Sequence, residues 1–229
     1  MSLVSNLFLL FVAASILIYY IVPRKSQWIV LLIFSYLYYI AGGPRYVVFI
    51  LFSTLVTWLM ALLIEKAEGK ENHKGARKLL ILGLILNFGM LGIVKYTNFA
   101  VENINALLHL NLRGIQLLLP LGISFYTFQS SGYLLDVYWK RCKAERHPLK
   151  YALFVSFFPQ ILQGPIGRYS RLADQLYAEH RFEGNNIIRG FERILWGFFK
   201  KMILADWAAA FADAIFEDPA KYNGVALLG

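Results

Sequence analysis

The sequence of 229 residues is 58% hydrophobic and only 16% charged, and its formal net charge is +9. Soluble domains carry about 25% charged residues, so this composition argues against a soluble protein and indicates that lipid is part of the solvent. The basic residues form no single face, which argues against nucleic acid as a partner. A bias of basic residues toward one side of a membrane, facing anionic lipid head groups, explains the charge instead.

Five apolar runs predict membrane-spanning helices. They are Leu3–Val22, Trp28–Ala41, Tyr46–Ile64, Leu79–Val94 and Ile115–Val137. Three have ordinary spanning length, whereas Trp28–Ala41 and Leu79–Val94 are short and need flanking residues or a thinner bilayer. The first run has no basic segment before it and no small-residue cleavage site after it, so we expect a retained span and not a signal peptide.

Lysine and arginine residues predict the orientation of these spans. They are concentrated in Pro23–Gln27, in Glu65–Lys78 and in residues 140–150, which fall on one side if each run crosses. The positive-inside rule then places these stretches in the cytoplasm and the N-terminus outside. We expect Glu65–Lys78 to be a polar loop. The single cysteine, Cys142, lies in the last of these stretches, where we expect a reduced thiol, with palmitoylation as the alternative.

Several segments outside the spans also have helical patterns. Tyr96–Leu110 mixes apolar residues with asparagines, which predicts a helix along the outer interface or, alternatively, a simple loop. The apolar positions of Ile187–Ile203 recur at helical spacing, with basic residues on the remaining face. That pattern predicts an amphipathic helix at the cytoplasmic interface. Trp207–Phe216 predicts a further short apolar helix.

The segment Tyr151–Arg168 combines apolar residues with helix breakers, and it is too short to span. Its breakers and amides are Pro159, Gly164, Pro165, Gln160 and Gln163. Broken backbone at membrane depth is tolerated only where protein or a watery cavity satisfies it. We therefore predict a re-entrant segment that lines a pocket or tunnel, with a surface loop as the alternative.

Leu119–Asp136 is similar in kind. Pro120 and Gly122 would kink it, and it carries polar side chains at membrane depth: Ser124, Tyr126, Thr127, Gln129 and Ser130. Such groups face a bundle interior or a cavity. Packing through hydrogen bonds and contact with a substrate fit this pattern equally well.

The ionisable residues identify no catalytic centre. The four histidines are His73, His109, His147 and His180, and none lies in a buried apolar segment. The sequence has no nucleophile elbow, P-loop, dinucleotide fingerprint or metal-ligand spacing. The residues alone therefore indicate an all-α membrane protein, a polytopic helical bundle with re-entrant and interfacial helices, in a single membrane domain spanning residues 1–229.

Two stretches resemble the membrane-bound O-acyltransferase family, in particular its bacterial branch of alginate O-acetylation and D-alanyl transfer. They are LPLGISFYTFQ at Leu119–Gln129 and SFFPQILQGPIGRY at Ser156–Tyr169. GFFKKMILAD at Gly197–Asp206 and the opening SNLFLLF resemble the same branch. The resemblance covers essentially the whole chain.

The resemblance implies a ring of helices around a central funnel in the bacterial cytoplasmic membrane. It implies O-acyl transfer, by default of acetyl, from a cytoplasmic thioester donor (acetyl-CoA or an acyl carrier) to an exported polysaccharide or envelope polymer. A partner transferase can take part outside the membrane, and no bound cofactor or metal is expected. The residues that the resemblance places on the funnel wall are Pro159, Gln160, Gly164, Pro165, Arg168, Tyr169 and Gln129. Arg168 is also a candidate for contact with donor phosphates, or else a simple charge at the membrane edge.

One departure from the family pattern concerns the catalytic base. The family's histidine lies in a Trp-His-Gly motif that this sequence lacks, and the family's chains are about twice as long. We therefore expect the N-terminal half of an acyltransferase, inactive alone. The alternatives are a transporter or export subunit and a non-catalytic membrane partner.

Overall fold

The computed structural model describes residues 6–108, 120–161 and 166–217, and these ranges form helices joined by short turns. The predicted all-α class is thus confirmed for the described residues. The chain divides into two compact units, residues 1–180 and 181–229. Each unit is described by itself.

The first unit contains eight α-helices among its described residues. They are α1 (Asn6–Ile21), α2 (Gln27–Gly42), α3 (Val47–Glu68), α4 (His73–Leu108), α5 (Ile123–Tyr138), α6 (Pro148–Ser156), α7 (Phe158–Ile161) and α8 (Tyr169–Tyr177). Short 3-10 turns at Arg24–Ser26 and Pro44–Tyr46 precede α2 and α3. The second unit contains α9 (Gly184–Phe199), a π-helical segment (Lys200–Ala205) and α10 (Asp206–Glu217).

Two helices among the described residues are long and apolar enough to cross a membrane. They are Pro44–Glu68, which is α3 with its preceding turn, and His73–Leu108, which is α4. α1, α2 and α5 coincide with three further predicted runs but have 16 residues each. The predicted run Ile115–Val137 is helical from Ile123, and residues 109–119 lie outside the described ranges.

The helices α3, α4 and α5 form the centre of the first unit. Asn87 of α4 joins two hydroxyls of α3: Ser53 Oγ donates to its Oδ1 over 2.6 Å, and its Nδ2 donates to Thr57 Oγ1 over 3.0 Å. All three side chains are buried. Two apolar helices in a membrane gain no hydrophobic stabilisation from contacting each other instead of lipid, so hydrogen bonds of this kind help to hold them together. On the next face, Gly83 of α4 lets Leu134 of α5 approach closely.

Two predicted boundaries are wrong. Glu65–Lys78 is not a polar loop, because α3 continues to Glu68 and α4 begins at His73, after a four-residue turn in which Glu71 adopts a left-handed φ of 57°. Tyr96–Leu110 is not separated from the preceding span, because α4 continues to Leu108. No proline or glycine occurs between Lys95 and Leu108, so nothing in the backbone interrupts that helix.

The three basic stretches lie at one end of the first unit, as predicted. The ring centroids of Trp28 and His147 are 5.4 Å apart, and Lys150 Nζ lies 6.0 Å from the Trp28 ring. Lys140 pairs with Glu68 at the end of α3 over 3.1 Å. The side of a membrane on which this end lies stays a prediction.

Candidate functional site

The break between α6 and α7 is satisfied by side chains of two other helices. Phe157 leaves helical geometry, so the amide of Phe158 and the carbonyl of Phe154 lose their helical partners. Phe158 N donates to Ser35 Oγ of α2 over 3.2 Å, and Gln129 Nε2 of α5 donates to Phe154 O over 3.0 Å. Buried backbone groups require such partners, and here the protein provides them.

Gly122 joins the two segments that the sequence singled out. Its φ is +66°, and a Cβ at this position would lie 2.4 Å from the carbonyl oxygen of Ile161. Only glycine fits both the left-handed backbone and this contact. The start of α5 therefore lies directly against the end of α7, which brings the described parts of the two segments, residues 120–129 and 156–161, together.

A cavity of about 230 Å³ lies between the second half of α5 and the extended residues 166–168 that precede α8. Its walls include Gln129, Tyr133, Asp136, Arg141, Arg168 and Tyr169. Two guanidinium groups and one carboxylate are therefore among the groups that line this cavity, and Arg141 Nη1 lies 3.5 Å from Asp136 Oδ1. Such a site suits a ligand with an uncharged polar body and an anionic end.

The predicted site residues fall into three groups. Gln129, Arg168 and Tyr169 line the cavity, with Arg168 exposed and the other two buried. Pro159 and Gln160 lie on α7 outside the cavity wall. The Gln160 amide packs against Gly167, where an added Cβ would lie 3.2 Å from Gln160 Oε1. The remaining two, Gly164 and Pro165, lie outside the described residues.

Glu145 is a connecting residue that the sequence analysis did not identify. Its Oε2 accepts a hydrogen bond of 2.6 Å from Tyr169 Oη, its amide donates to Tyr133 Oη over 2.8 Å, and its carbonyl accepts from Trp58 Nε1 over 2.9 Å. The loop between α5 and α6 is thereby fixed to α3, α5 and α8. One signal was present, because Glu145 is the only acidic residue among the basic residues from 140 to 150.

Several aromatic rings pack against one another beside Glu145. The Tyr133 centroid lies 4.7 Å from those of Tyr151 and Tyr169, and Phe154 lies 5.0 Å from Tyr169. Burial raises the pKa of Tyr169 well above its usual range, and it also raises the pKa of Tyr177. These two phenols are therefore neutral donors at physiological pH, suited to holding a wall in place and not to moving protons.

Cys142 and the histidines of the described ranges have surroundings that indicate structural and not catalytic roles. Burial, followed by the carboxylates of Asp136 and Glu65, raises the pKa of the Cys142 thiol to about 11. A thiol with such a pKa is a weak nucleophile at neutral pH. His73 pairs with Glu68 over 2.9 Å, and the amide of His180 donates to Gln27 Oε1 over 2.9 Å. No group of three metal-ligating side chains occurs within the described ranges.

The second unit confirms the predicted helical segments. α9 and the π-helical segment cover Ile187–Ile203, and α10 covers Trp207–Phe216. The apolar residues of α9, among them Ile188, Phe191 and Leu195, are exposed. An exposed apolar face beside basic residues is the pattern expected of an interfacial helix.

Comparison with known proteins gives relatives along nearly the whole chain. A probable alginate O-acetylase of Pseudomonas aeruginosa is 34% identical over 98% of this chain, and that of Azotobacter vinelandii is 33% identical over 98%. A peptidoglycan O-acetyltransferase of Helicobacter pylori is 33% identical over 83%. The chain spans 44%, 46% and 40% of the length of these relatives, respectively. No family model and no solved structure matches.

Proposed function

We propose that this chain belongs to the bacterial membrane-bound O-acyltransferase family, together with the alginate O-acetylases and the peptidoglycan O-acetyltransferases. In this proposal the chain is part of an enzyme that transfers acetyl groups to hydroxyls of an exported polysaccharide or cell-envelope polymer. The observation that carries this proposal is the extent of the similarity, 34% identity over 98% of the chain. The match is not confined to one apolar helix, so shared hydrophobic composition alone does not explain it.

The cavity beside α5 is the proposed entry for the acyl donor. Acetyl-CoA and an acyl carrier both present a thioester at the end of a pantetheine arm that bears phosphate. Arg168 and Arg141 at the opening would hold the phosphate, since guanidinium groups bind phosphate oxygens through paired hydrogen bonds. Gln129 and Tyr169 form part of the wall along which the uncharged arm would pass.

The other predicted funnel residues would hold the segment that carries Arg168 in position. The Gln160 amide packs against Gly167, which precedes Arg168, and Pro159 lies on the same short helix. The predicted roles of Gly164 and Pro165 in shaping the funnel form part of the same proposal. The break between α6 and α7 would lie within the membrane as a re-entrant segment; in support, the Phe154 carbonyl and the Phe158 amide at the break have the internal partners that this depth requires.

The membrane arrangement is also part of the proposal. The chain would cross the bacterial cytoplasmic membrane several times, with the basic end of the first unit in the cytoplasm. The cavity opening, at Arg141 and Arg168, would then face the compartment that holds the thioester donor. The acceptor polymer, and a partner transferase where one takes part, would meet the enzyme on the opposite side.

The described residues place no histidine at the cavity. His73, His147 and His180 contact Glu68, Trp28 and Gln27 instead. In this proposal the base that activates the acceptor hydroxyl is therefore supplied from elsewhere in the assembled enzyme.

Labelled acetyl transfer tests the proposal. Membrane vesicles from cells that express the complete gene would receive acetyl-labelled CoA or acetyl-labelled carrier, with deacetylated alginate and with peptidoglycan as separate acceptors. We expect label in one polymer and free thiol released in equal amount. Polymer export that depends on the gene, with no acetyl incorporated and no thiol released, would contradict acyl transfer and favour an export subunit.

A further inference from the structure

One face of α3 carries a groove that changes from apolar to charged along its length. The apolar part is a cavity of about 480 Å³ between α2, α3 and α6, whose walls include Leu51, Leu55 and Trp58 of α3. The charged part is a cavity of about 360 Å³ lined by Leu62, Leu63, Glu65, Lys66 and Arg146. We call the two together the α3 groove.

The spacing along α3 makes these two cavities one surface. Residues 51, 55, 58, 62 and 66 recur at intervals of three or four, so they lie on one side of the helix. Leu51 and Leu55 are 48% and 55% exposed, so their side chains are free to contact a lipid acyl chain. The groove is therefore open on the side that faces away from α4 and α5.

The groove is chemically complementary to a phospholipid. The sixteen residues from Leu51 to Lys66 cover about 22 Å along the helix, and one bilayer leaflet with its head groups is roughly 20–22 Å thick. The apolar end matches an acyl chain, and Lys66 and Arg146 lie where the phosphate would be. Glu65, which pairs with Arg146, leaves one net positive charge, enough to balance one phosphodiester.

We propose that the α3 groove binds an anionic phospholipid, with an acyl chain along Leu51, Leu55 and Trp58 and the phosphate at Lys66 and Arg146. The basic end of the first unit is the predicted cytoplasmic end, where anionic lipids give the leaflet its negative surface potential. The proposal depends on a membrane location and does not depend on acyl transfer. Its failure would therefore leave the proposed reaction untouched.

Fluorescence quenching by brominated lipid tests the proposal, because Trp58 lies in the apolar end. The complete protein would be placed in nanodiscs of phosphatidylcholine with an increasing fraction of brominated phosphatidylglycerol or, separately, brominated phosphatidylcholine. The chain has five tryptophans, so the Trp58→Phe variant identifies the Trp58 signal. We expect the anionic lipid to half-quench Trp58 at an at least fivefold lower fraction than the zwitterionic lipid, since each nearby basic residue contributes about 1 kcal/mol.

Matched variants test both ends of the groove. Lys66→Gln raises the half-quenching fraction about fivefold, whereas Lys70→Gln, on the adjacent turn and outside the groove, leaves it unchanged. Leu55→Ser weakens quenching at the apolar end, whereas Leu59→Ser, equally on α3 but not lining the groove, does not. Equal half-quenching by both lipids, or equal effects of Lys66→Gln and Lys70→Gln, would overturn the proposal. Complete protection of Trp58 from both lipids would also overturn it, because another segment of the protein would then cover the groove.

Discussion

Tyr169 donates a hydrogen bond of 2.6 Å from its hydroxyl to Oε2 of Glu145. This bond joins the segment that carries Arg168 to the loop between α5 and α6, and so to Trp58 of α3. The position of the cavity wall therefore depends on a loop carboxylate as much as on the helices.

The coupling between Glu145 and Tyr169 can be measured by a double-mutant cycle. Glu145→Gln, Tyr169→Phe and the double variant are compared by thermal or denaturant unfolding in detergent. We expect a coupling free energy of about 1–2 kcal/mol, because the acceptor is a carboxylate and the donor phenol is buried. The matched pair Glu145→Gln with Tyr96→Phe, on the distant end of α4, should be additive. Additivity in the first cycle as well would contradict the proposed link.

The raised pKa of Cys142 predicts slow alkylation of the native protein. With the thiol pKa at about 11, and an unperturbed value of about 8.5, the thiolate fraction at pH 8 is far smaller in the folded chain. Iodoacetamide should therefore react with native protein at least an order of magnitude more slowly than with unfolded protein. The native rate should continue to rise above pH 10. A native rate that levels off near pH 9 would show that burial does not control this thiol.

Gly122 tests the contact between α5 and α7. A methyl group at this position meets the Ile161 carbonyl and adds strain at positive φ, so Gly122→Ala should destabilise the protein by about 1–3 kcal/mol. Gly92→Ala on α4 is the matched control, since nothing lies within 4 Å of its Cβ position. The control should be neutral or slightly stabilising. Equal melting temperatures for both variants would contradict the close approach.

Asn87 tests the polar contact between α3 and α4. Asn87→Ala leaves the hydroxyls of Ser53 and Thr57 without their amide partner in a buried position, which should cost about 1–3 kcal/mol in the free energy of unfolding. Asn103→Ala removes an exposed amide whose Nδ2 donates to the Phe99 carbonyl, and it should change stability by less than about 0.5 kcal/mol. Unfolding in detergent measures both. Comparable losses in the two variants would show that burial does not decide the effect.

The helices could be predicted from the sequence because apolar runs and helix breakers act locally. A broken helix within Tyr151–Arg168 was predicted, with the break at Gly164-Pro165. The structure ends α6 at Ser156, before Pro159, while Gly164 and Pro165 lie outside the described residues. The density of charged residues did not predict where α3 ends. The helix continues to Glu68, and after a four-residue turn the basic residues Lys74, Arg77 and Lys78 lie on the first turns of α4. Local sequence does not show that α3 continues to Glu68.

The parts of the site that could not be predicted depend on contacts between distant residues. Glu145 receives the Trp58 hydrogen bond from 87 positions away, and Ser35 satisfies the Phe158 amide from 123 positions away. Gln129 was predicted as a polar residue at membrane depth with two possible roles. The structure shows the packing role, since its Nε2 bonds to Phe154 O; the side chain also lines the cavity, and its contact with a substrate stays a prediction.

The donor dependence of acetyl transfer tests the central claim most directly. Initial rates of labelled acetyl incorporation into polymer would be measured against donor concentration for the wild type, Arg168→Gln and Arg171→Gln in vesicles that contain the complete protein. We predict that Arg168→Gln raises KM for the donor about fivefold to tenfold, the effect of losing one charge-assisted phosphate contact at an exposed site, with kcat nearly unchanged. Arg171→Gln, which lies on α8 outside the cavity wall, should match the wild type. Donor-independent incorporation, or identical KM values for all three proteins, would contradict a donor site at this cavity.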